Sequence, residues 1–271
     1  MLAVLAYRTA NALARVLPAP IADPLAVVLA RMAFALRLPA RRALEGNLAR
    51  LLPGIPPAET RRRARASFEN FSLAFARFLR RTAPVPGPTR DTAVVVHGSG
   101  HLERARASGR GVIVLSAHLG DWEGGAAFLA AQGLPMHIAA RPHAHPAIER
   151  LFAGRRAASG VRVLAGAPLF ARAAAALRRN EWIALMADRP AARTGGGSVC
   201  AWAAALARRT GAIVLPAVFV RHEDGRLALC VEAPLTAELC RDGAFRDAMR
   251  AWLERWPDQW AAFEPLPEGL A

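Results

Sequence analysis

From residue 93 to the end of the chain, short apolar runs alternate with segments that have a helical pattern. The run Gly111-Val112-Ile113-Val114-Leu115 is continuously apolar, which is typical of a strand that is buried on both faces. The segments between such runs carry apolar residues three and four positions apart, as amphipathic helices do. This alternation predicts an α/β fold with a mostly parallel central sheet that is covered by helices on both faces.

The predicted elements follow one another regularly from residue 93. Strands are expected at 93–96, 111–117, 136–140, 161–164, 182–186, 212–220 and 226–232, and helices at 100–108, 122–132, 146–159, 168–179, 200–209 and 243–255. The turn His222-Glu223-Asp224-Gly225 joins the last two strands directly, so these two are expected to be antiparallel.

An N-terminal helical extension is predicted over residues 1–83. It is expected to contain amphipathic helices at 2–17 and 24–37, a third helix that ends at Pro53-Gly54, and a long helix at 58–81. Pro84, Pro86 and Pro88 form a linker into the α/β domain, which is expected to span 84–271.

The long helix carries an aromatic stripe. Phe68, Phe71, Phe75 and Phe78 recur at steps of three and four residues. These rings are expected to pack in a core, and the alternative is that they border an acyl chain.

The first two helices are interrupted by charges and prolines. Arg8, Arg15, Asp23 and Arg31 divide their apolar residues, so no uncharged run approaches the roughly 20 residues that span a bilayer. A signal peptide is not expected, because no uninterrupted apolar core leads to a cleavage site. Helices of this kind lie in a membrane interface with their apolar faces down. The alternative is that both pack on the domain as ordinary surface helices.

The charge balance points to an anionic partner. The chain has 36 basic residues, all of them arginine, against 21 acidic ones, which gives a formal net charge of +15. Nucleic acid, an acidic carrier protein, a phosphorylated substrate and an anionic membrane surface all fit this charge. Nucleic acid is not expected, because the sequence lacks zinc-finger spacing, an RNP-like motif and a Gly-rich KH loop.

Metal, cofactor and disulfide chemistry are not expected. Cys200, Cys230 and Cys240 are too few and too far apart for a disulfide framework or a zinc site, and they are interpreted as reduced thiols. His143 and His145 have no carboxylate pair nearby that would complete a metal site. The glycines at 195–197 are interpreted as a mobile loop, because no Walker-type Lys-Ser/Thr follows them.

The segment His118-Leu119-Gly120-Asp121-Trp122-Glu123 carries the candidate chemistry. His118 is expected at the carboxyl end of a strand and Glu123 in the first turn of the next helix, where open α/β sheets bind ligands. An imidazole accepts a proton from a hydroxyl near pH 7, since its unperturbed pKa is about 6.5. A nearby carboxylate holds the ring's tautomer and stabilises the imidazolium. The motif therefore predicts a general base, and the alternative is a structural histidine at a strand end.

Further blocks of residues stand in an order that is typical of one family. They are Asn47-Leu48 with Leu52-Pro53, the H-x4-E motif at 118–123, Arg141-Pro142, Arg155-Arg156, Ala187-Asp188-Arg189, the block 207–212, and Trp256-Pro257-Asp258-Gln259-Trp260. In these blocks the chain resembles the bacterial lipid A biosynthesis (lauroyl/myristoyl) acyltransferases, within the lysophospholipid acyltransferase-like group.

The chain also departs from that family. The stretch between Asp188 and Ala207 is short and glycine-rich and lacks the family's Phe-Phe-Gly element, which bears on acyl-chain length and acceptor contacts. Glycerolipid acyltransferases of the wider group usually have Asn before the histidine and Asp at the acid position. Ala117 and Glu123 stand there, which favours the glycolipid branch.

The resemblance implies that a fatty acyl group is transferred from a thioester to a hydroxyl of a membrane glycolipid, most simply a lipid A precursor. The implied donor is acyl carrier protein or acyl-CoA. His118 would be the base and Glu123 its stabilising carboxylate. Arg141 is expected to bind an acceptor phosphate or polarise the carbonyl, Arg156 to bind substrate, and Asp188 to orient Arg141 or the acceptor. The alternatives are a solvated Arg141 and a turn-capping Asp188.

The implied place of action is the cytoplasmic face of the bacterial inner membrane, with peripheral or monotopic attachment. Other acceptors stay open, among them a lysophospholipid or a phosphatidylinositol mannoside. A hydrolase and a non-catalytic lipid-binding relative also stay open. The serine esterase form of a hydrolase requires a Gly-x-Ser-x-Gly elbow, and Gly98-Ser99-Gly100 lacks its spacing.

Overall fold

The computed structural model of the chain describes residues 2–81, 94–140, 142–189, 198–222, 224–241 and 243–266. The helices are α1 (Leu2–Val16), α2 (Ala19–Ala35), α3 (Pro39–Leu51), α4 (Pro57–Arg80), α5 (Ser99–Ala107), α6 (Trp122–Ala131), α7 (Pro146–Ala158), α8 (Leu169–Arg178), α9 (Val199–Thr210), α10 (Ala237–Arg241) and α11 (Ala244–Arg255), followed by a 3-10 turn at Pro257–Gln259. The strands are β1 (Val95–His97), β2 (Val112–Ser116), β3 (Met136–Ala139), β4 (Arg162–Leu164), β5 (Trp182–Met186), β6 (Ile213–Arg221) and β7 (Leu227–Val231).

The predicted α/β class is confirmed. The seven strands form one sheet in the order β1-β7-β6-β2-β5-β3-β4. Neighbouring strands are parallel throughout, except that β6 and β7 are antiparallel as the direct turn predicted. The prolines at 84–88 and the glycines at 195–197, which were interpreted as a linker and a loop, lie outside the described residues.

One predicted helix boundary is wrong. The second helix was expected from residue 24, but α2 already begins at Ala19. Pro20 lies in its first turn, where the missing N–H of a proline has no helical partner to lose. Pro24 lies inside the helix, where it removes one backbone hydrogen bond. Helix α2 nevertheless continues through this position and packs on α4.

The described residues form two compact units. The first, the helical unit, is drawn from Met1–Arg80, His118–Asp121 and Met249–Ala271. The second, the α/β unit, is drawn from Arg81–Ala117 and Trp122–Ala248.

The core of the α/β unit follows from strand β2. All five of its residues are buried, and it is paired on one side with β5 and on the other with β6. Val112 and Val114 belong to a core cluster with Phe128 of α6. Successive strand residues point to opposite faces, so Ile113 and Leu115 face the other side. Helices α8 and α9 contact the sheet at β5 and β2, respectively, which accounts for the continuous apolar run.

Helix α4 is the centre of the helical unit, where it contacts α1, α2, α3 and the 3-10 turn. Its aromatic stripe contributes to this packing. Phe68 and Phe78 are buried, and the Phe68 ring contacts Phe34 of α2 and Phe263 edge to face at 5.4 and 4.9 Å between centroids.

Among the described residues, α2 and α3 together have the length and apolar composition of a membrane span, but an 85° bend separates them. No single described helix is long and apolar enough to cross a membrane.

Candidate active site

Strand β2 leads to the motif from the middle of the sheet. Its last residue, Ser116, is in register with Met186 of the parallel strand β5. The pairing continues beyond the two strands, because the Ala187 amide donates a 2.7 Å hydrogen bond to the Ser116 carbonyl. Asp188 follows immediately and is fully buried. The predicted site residue Asp188 therefore lies at the carboxyl end of β5, where its side chain is closed to solvent.

His118 belongs to the helical unit, where its main chain is paired with a C-terminal segment. The His118 carbonyl accepts a 2.8 Å hydrogen bond from the Ala261 amide, and the Gly120 amide donates one of 2.9 Å to the Gln259 carbonyl. Leu119 and Trp260 form an antiparallel bridge between these bonds, and both side chains are fully buried. His118 itself is half-buried.

Gly120 makes the turn after His118 possible. Its φ of +70° lies in the left-handed region, which a residue with a Cβ adopts only at a cost. The chain turns here from the paired segment toward helix α6, which begins at Trp122.

Glu123 lies in the first turn of α6 and is paired with Arg156 of α7. The Arg156 Nη2 donates a 2.6 Å hydrogen bond to Glu123 Oε1, and its Nε lies 3.2 Å from both carboxylate oxygens. The two side chains are 9% and 14% exposed. Such forked, charge-assisted hydrogen bonds fix a carboxylate in orientation as well as in charge.

Two buried glycines let α6 lie close to the sheet. Gly124 and Gly125 follow Glu123 in the first turns of the helix. A Cβ at Gly125 would lie 2.7 Å from the Cβ of Phe219 in β6, which is closer than real Cβ contacts. The position of Glu123 therefore depends on a close helix–strand approach that only glycine permits at residue 125.

Arg156 is supported by side chains of its own helix. Its guanidinium lies 5.4 Å from the centroid of the Phe152 ring, and Phe152 packs on His143 at 4.2 Å between ring centroids. The Glu149 carboxylate accepts from the backbone amide of His143 at 2.8 Å and lies 2.9 Å from its Nδ1. The hydrogen bond from that amide, followed by the one with the ring, lowers the pKa of Glu149.

The predicted site residues are thus distributed as follows. The structure brings Glu123 and Arg156 into direct contact and leaves Asp188 buried at a strand end. Arg141 lies outside the described residues. The Glu123–Arg156 pair and the contact of His143 with Glu149 were not predicted. The one local signal for the latter is that Glu149 falls in the first turn of a predicted helix, where acidic side chains are favoured.

His145 and the cysteines have local structural roles. His145 caps helix α7, where its ring accepts a hydrogen bond from the Ala147 amide. The three cysteines are free thiols, and the Cys240 thiol donates to the Cys200 carbonyl at 3.3 Å. Across the part of the chain that the structure describes, no three His, Cys, Asp or Glu side chains form a group that could hold a metal ion.

Comparison with protein families identifies a relationship over nearly the whole chain. Residues 2–265 match the family model described as bacterial lipid A biosynthesis acyltransferase. No curated protein matches the chain. The match covers both units, from the first helix to the C-terminal segment that is paired with His118.

Proposed function

Because the chain belongs to the family of bacterial lipid A biosynthesis acyltransferases, we propose that it transfers a fatty acyl group from a thioester to a hydroxyl of a lipid A precursor. Family membership identifies the chain as an acyltransferase of lipid A biosynthesis. We further propose that the acyl donor is acyl carrier protein, with acyl-CoA as the alternative. The acceptor hydroxyl is likewise proposed. The excess of basic over acidic residues suits both partners, since carrier proteins are acidic and lipid A precursors carry phosphate.

The observation that carries the mechanism is the buried pair of Glu123 with Arg156, five positions after a half-buried histidine. A carboxylate offers about four acceptor positions on its two oxygens. The bonds from Arg156 leave part of this capacity for a ring N–H of His118. In this proposal Arg156 holds Glu123, and Glu123 in turn orients and stabilises the His118 ring.

The proposed reaction proceeds by direct attack on the thioester. The other ring nitrogen of His118 accepts the proton of the acceptor hydroxyl while the hydroxyl oxygen bonds to the thioester carbonyl carbon. The tetrahedral intermediate then expels the thiolate, which takes the proton from the imidazolium. The products are a lipid ester and a free thiol, so the step requires no covalent enzyme intermediate. One general base contributes about 10²–10⁴-fold to such a reaction.

The roles of the other predicted site residues remain proposals. We propose that Arg141 binds an acceptor phosphate or polarises the carbonyl. Asp188 is fully buried at the carboxyl end of β5, which suits orientation of a neighbouring group better than direct binding of the acceptor. Arg156 is 9% exposed, which favours a positioning role over the substrate contact that the resemblance implied.

Peripheral attachment to the inner membrane is the proposed setting. Among the described residues, the exposed large hydrophobic side chains are Leu5, Leu13, Val16, Ile21, Val28, Leu29, Met32, Leu36, Leu38 and Leu239. All but Leu239 lie within the first 38 residues, on or next to α1 and α2. Arginines lie among them, as they do in helices that rest on anionic membranes.

The proposal is tested with the variant His118→Ala. Purified protein is mixed with acyl carrier protein thioester or acyl-CoA and with candidate acceptors, including a lipid A precursor and a lysophospholipid, and the lipids are analysed by mass spectrometry. With the unchanged protein we expect a glycolipid product that carries one additional acyl chain. With His118→Ala we expect the rate to fall at least 100-fold. His101→Ala removes an imidazole elsewhere and is expected to retain full activity.

Several outcomes would contradict the proposal. An active and folded His118→Ala variant would refute the role of the base. Release of free fatty acid without an acceptor would indicate a hydrolase. Acylation of the lysophospholipid alone would support the acyltransferase activity but exclude the lipid A precursor as the acceptor.

A further inference from the structure

The C-terminal segment Trp256–Leu266, here called the brace, contacts the main chain of the motif. Two backbone hydrogen bonds and the Leu119–Trp260 bridge join it to residues 118–120. Strand β2 ends at Ser116, two residues before His118. The main-chain position of the histidine is therefore determined by the brace as well as by the strand that leads to it.

Helix α3 holds the far end of the brace through one buried amide. The Asn47 Nδ2 donates to the carbonyls of Ala262 and Glu264 at 3.0 and 2.8 Å, and its Oδ1 accepts from the Leu266 amide at 3.1 Å. Asn47 is 3% exposed. A single side chain thus satisfies three backbone groups within residues 262–266, which belong to no helix or strand.

Helix α4 holds the near end of the brace. The Asn70 Nδ2 donates a 2.9 Å hydrogen bond to the Asp258 carbonyl, and the Ser67 hydroxyl donates one of 3.3 Å to the Pro257 carbonyl. Asp258 is followed directly by Gln259, whose carbonyl accepts from the Gly120 amide. The polar side chains of α4 are therefore connected to the motif through one or two residues of the brace.

We propose that Asn47, Ser67 and Asn70 are positioning residues, which act through the brace on the placement of the His118 imidazole. This inference rests on the proposed role of His118 as the base. Proton transfer requires the base within hydrogen-bond distance of the hydroxyl, and a misplacement of about 1 Å costs on the order of 100-fold in rate. In this proposal the brace supplies that precision through its main-chain contacts with residues 118–120.

The test uses the variant Asn70→Ala in the full-length protein, with Asn70→Gln as the conservative variant that keeps an amide donor. We expect kcat to fall about 10- to 100-fold with Asn70→Ala. The KM values for donor and acceptor should change less than about twofold, because no substrate contact is removed. Asn70→Gln should recover part of the loss.

Hydrogen exchange supplies a readout that does not depend on activity. The amides of Gly120 and Ala261 form the two bonds between the motif and the brace, and we expect both to exchange faster in Asn70→Ala. Thr60→Val is the matched control in the same helix. It removes the hydrogen bond from a buried hydroxyl to the Pro56 carbonyl and should leave kcat and both amides unchanged.

The outcomes separate this inference from the proposed function. A wild-type kcat in Asn70→Ala overturns the inference, whether or not exchange at the two amides changes. A rise in KM at unchanged kcat also overturns it. If the unchanged protein transfers no acyl group, the proposed function fails. In that case, exchange of the two amides in Asn70→Ala at the rate of the unchanged protein would also overturn the proposed link between Asn70 and the motif. Ser67→Ala, which removes the longer bond, replaces Asn70→Ala if that variant does not fold.

Discussion

Glu123 and Arg156 form an ion pair that is largely buried from solvent. The carboxylate is 14% exposed and the guanidinium 9%, and three donor–acceptor distances of 2.6 to 3.2 Å join them. An ion pair in such a place is costly to break, because removal of one partner leaves an uncompensated charge that water reaches poorly. Loss of either partner is therefore expected to lower the stability of the protein and, in the proposed mechanism, also to disturb Glu123, so experiments must separate the two effects.

The first prediction concerns the stability part of this pair. Arg156→Met should lower the free energy of unfolding by about 3–5 kcal/mol, since Glu123 then remains buried without its partner. Urea denaturation followed by circular dichroism measures the change. Arg65→Met breaks a comparable pair with Glu69, but the arginine there is 53% exposed, and the expected loss is below about 1 kcal/mol. Equal and small losses in both variants would contradict the structural role of the Arg156 pair.

The same residues illustrate what a sequence reveals about a site. The histidine and the glutamate could be selected from their types and positions, and Arg156 from the resemblance to the acyltransferase family. The partner of Arg156 could not, because Glu123 lies 33 positions away and meets it only once α6 and α7 are packed on the sheet. Burial of Asp188 is a second property that depends on neighbouring strands rather than on local spacing.

Helix α6 shows how an element positions a proposed site residue. Its first turns contain Glu123 and two buried glycines, and Gly125 lies against Phe219 of β6. A side chain at residue 125 would push the helix away from the sheet and carry Glu123 with it. The position of the helix therefore depends on the absence of a side chain at residue 125.

The second prediction belongs to this element. Gly125→Ala should destabilise the protein by about 1–3 kcal/mol, because the new methyl group overlaps the Cβ of Phe219, and acyl transfer should fall with it. Gly154→Ala is the control within α7, since nothing lies within 4 Å of its added Cβ. That variant should gain about 0.5–1 kcal/mol from reduced backbone entropy. Thermal unfolding of both proteins checks the opposite signs, and a stable Gly125→Ala would contradict the close approach.

Most elements of the α/β unit could be predicted because their patterns are local. Buried strands appear as apolar runs, and helices appear as a period of about 3.6 residues. The order β1-β7-β6-β2-β5-β3-β4 could not be predicted, since strand pairing joins distant residues. The short helix α10 and the 3-10 turn at Pro257–Gln259 were missed, because five and three residues are too few to establish a period.

At the scale of the whole molecule, apolar exposure is concentrated in one region. Apart from Leu239, the large hydrophobic side chains exposed among the described residues all belong to the first 38 positions. Exposed apolar surface of this kind marks contact with a membrane or another protein. The formal charge of +15 adds attraction to anionic lipids, at about 1 kcal/mol for each arginine near the surface.

The third prediction tests this surface. Val16→Ser combined with Leu36→Ser should weaken binding to anionic phospholipid vesicles by at least about tenfold, because both side chains are more than 70% exposed and available for insertion. Leu239→Ser in the α/β unit is the control and should bind as the unchanged protein does. Vesicle flotation measures the bound fraction. Equal binding of all three proteins would contradict insertion by the first helices.

Salt separates the two contributions to binding. Raising the ionic strength to about 1 M shortens the screening length to about 3 Å and should remove the part due to arginine. The part due to inserted aliphatic side chains should remain. Complete release at high salt would mean that binding is electrostatic alone.

The sequence pattern divides the chain into consecutive parts, at 1–83 and 84–271, and this division of functional domains stays a prediction. The helical unit also takes in His118–Asp121 and the residues from Met249 onward. No local sequence pattern indicates that these residues belong to the helical unit, because the hydrogen bonds of Asn47, Ser67 and Asn70 join them to residues 188 to 219 positions later.

These distant bonds have a consequence for biosynthesis. Asn47 leaves the ribosome 219 residues ahead of Leu266, its partner, which corresponds to roughly 10–40 seconds at typical rates of translation. During that interval the first helices are already made, while the peptide around His118 has nothing to pair with. Under the proposed function, a nascent chain that binds lipid through these helices would be held at the membrane before the brace is made, and acyl transfer would begin only after the brace has been translated.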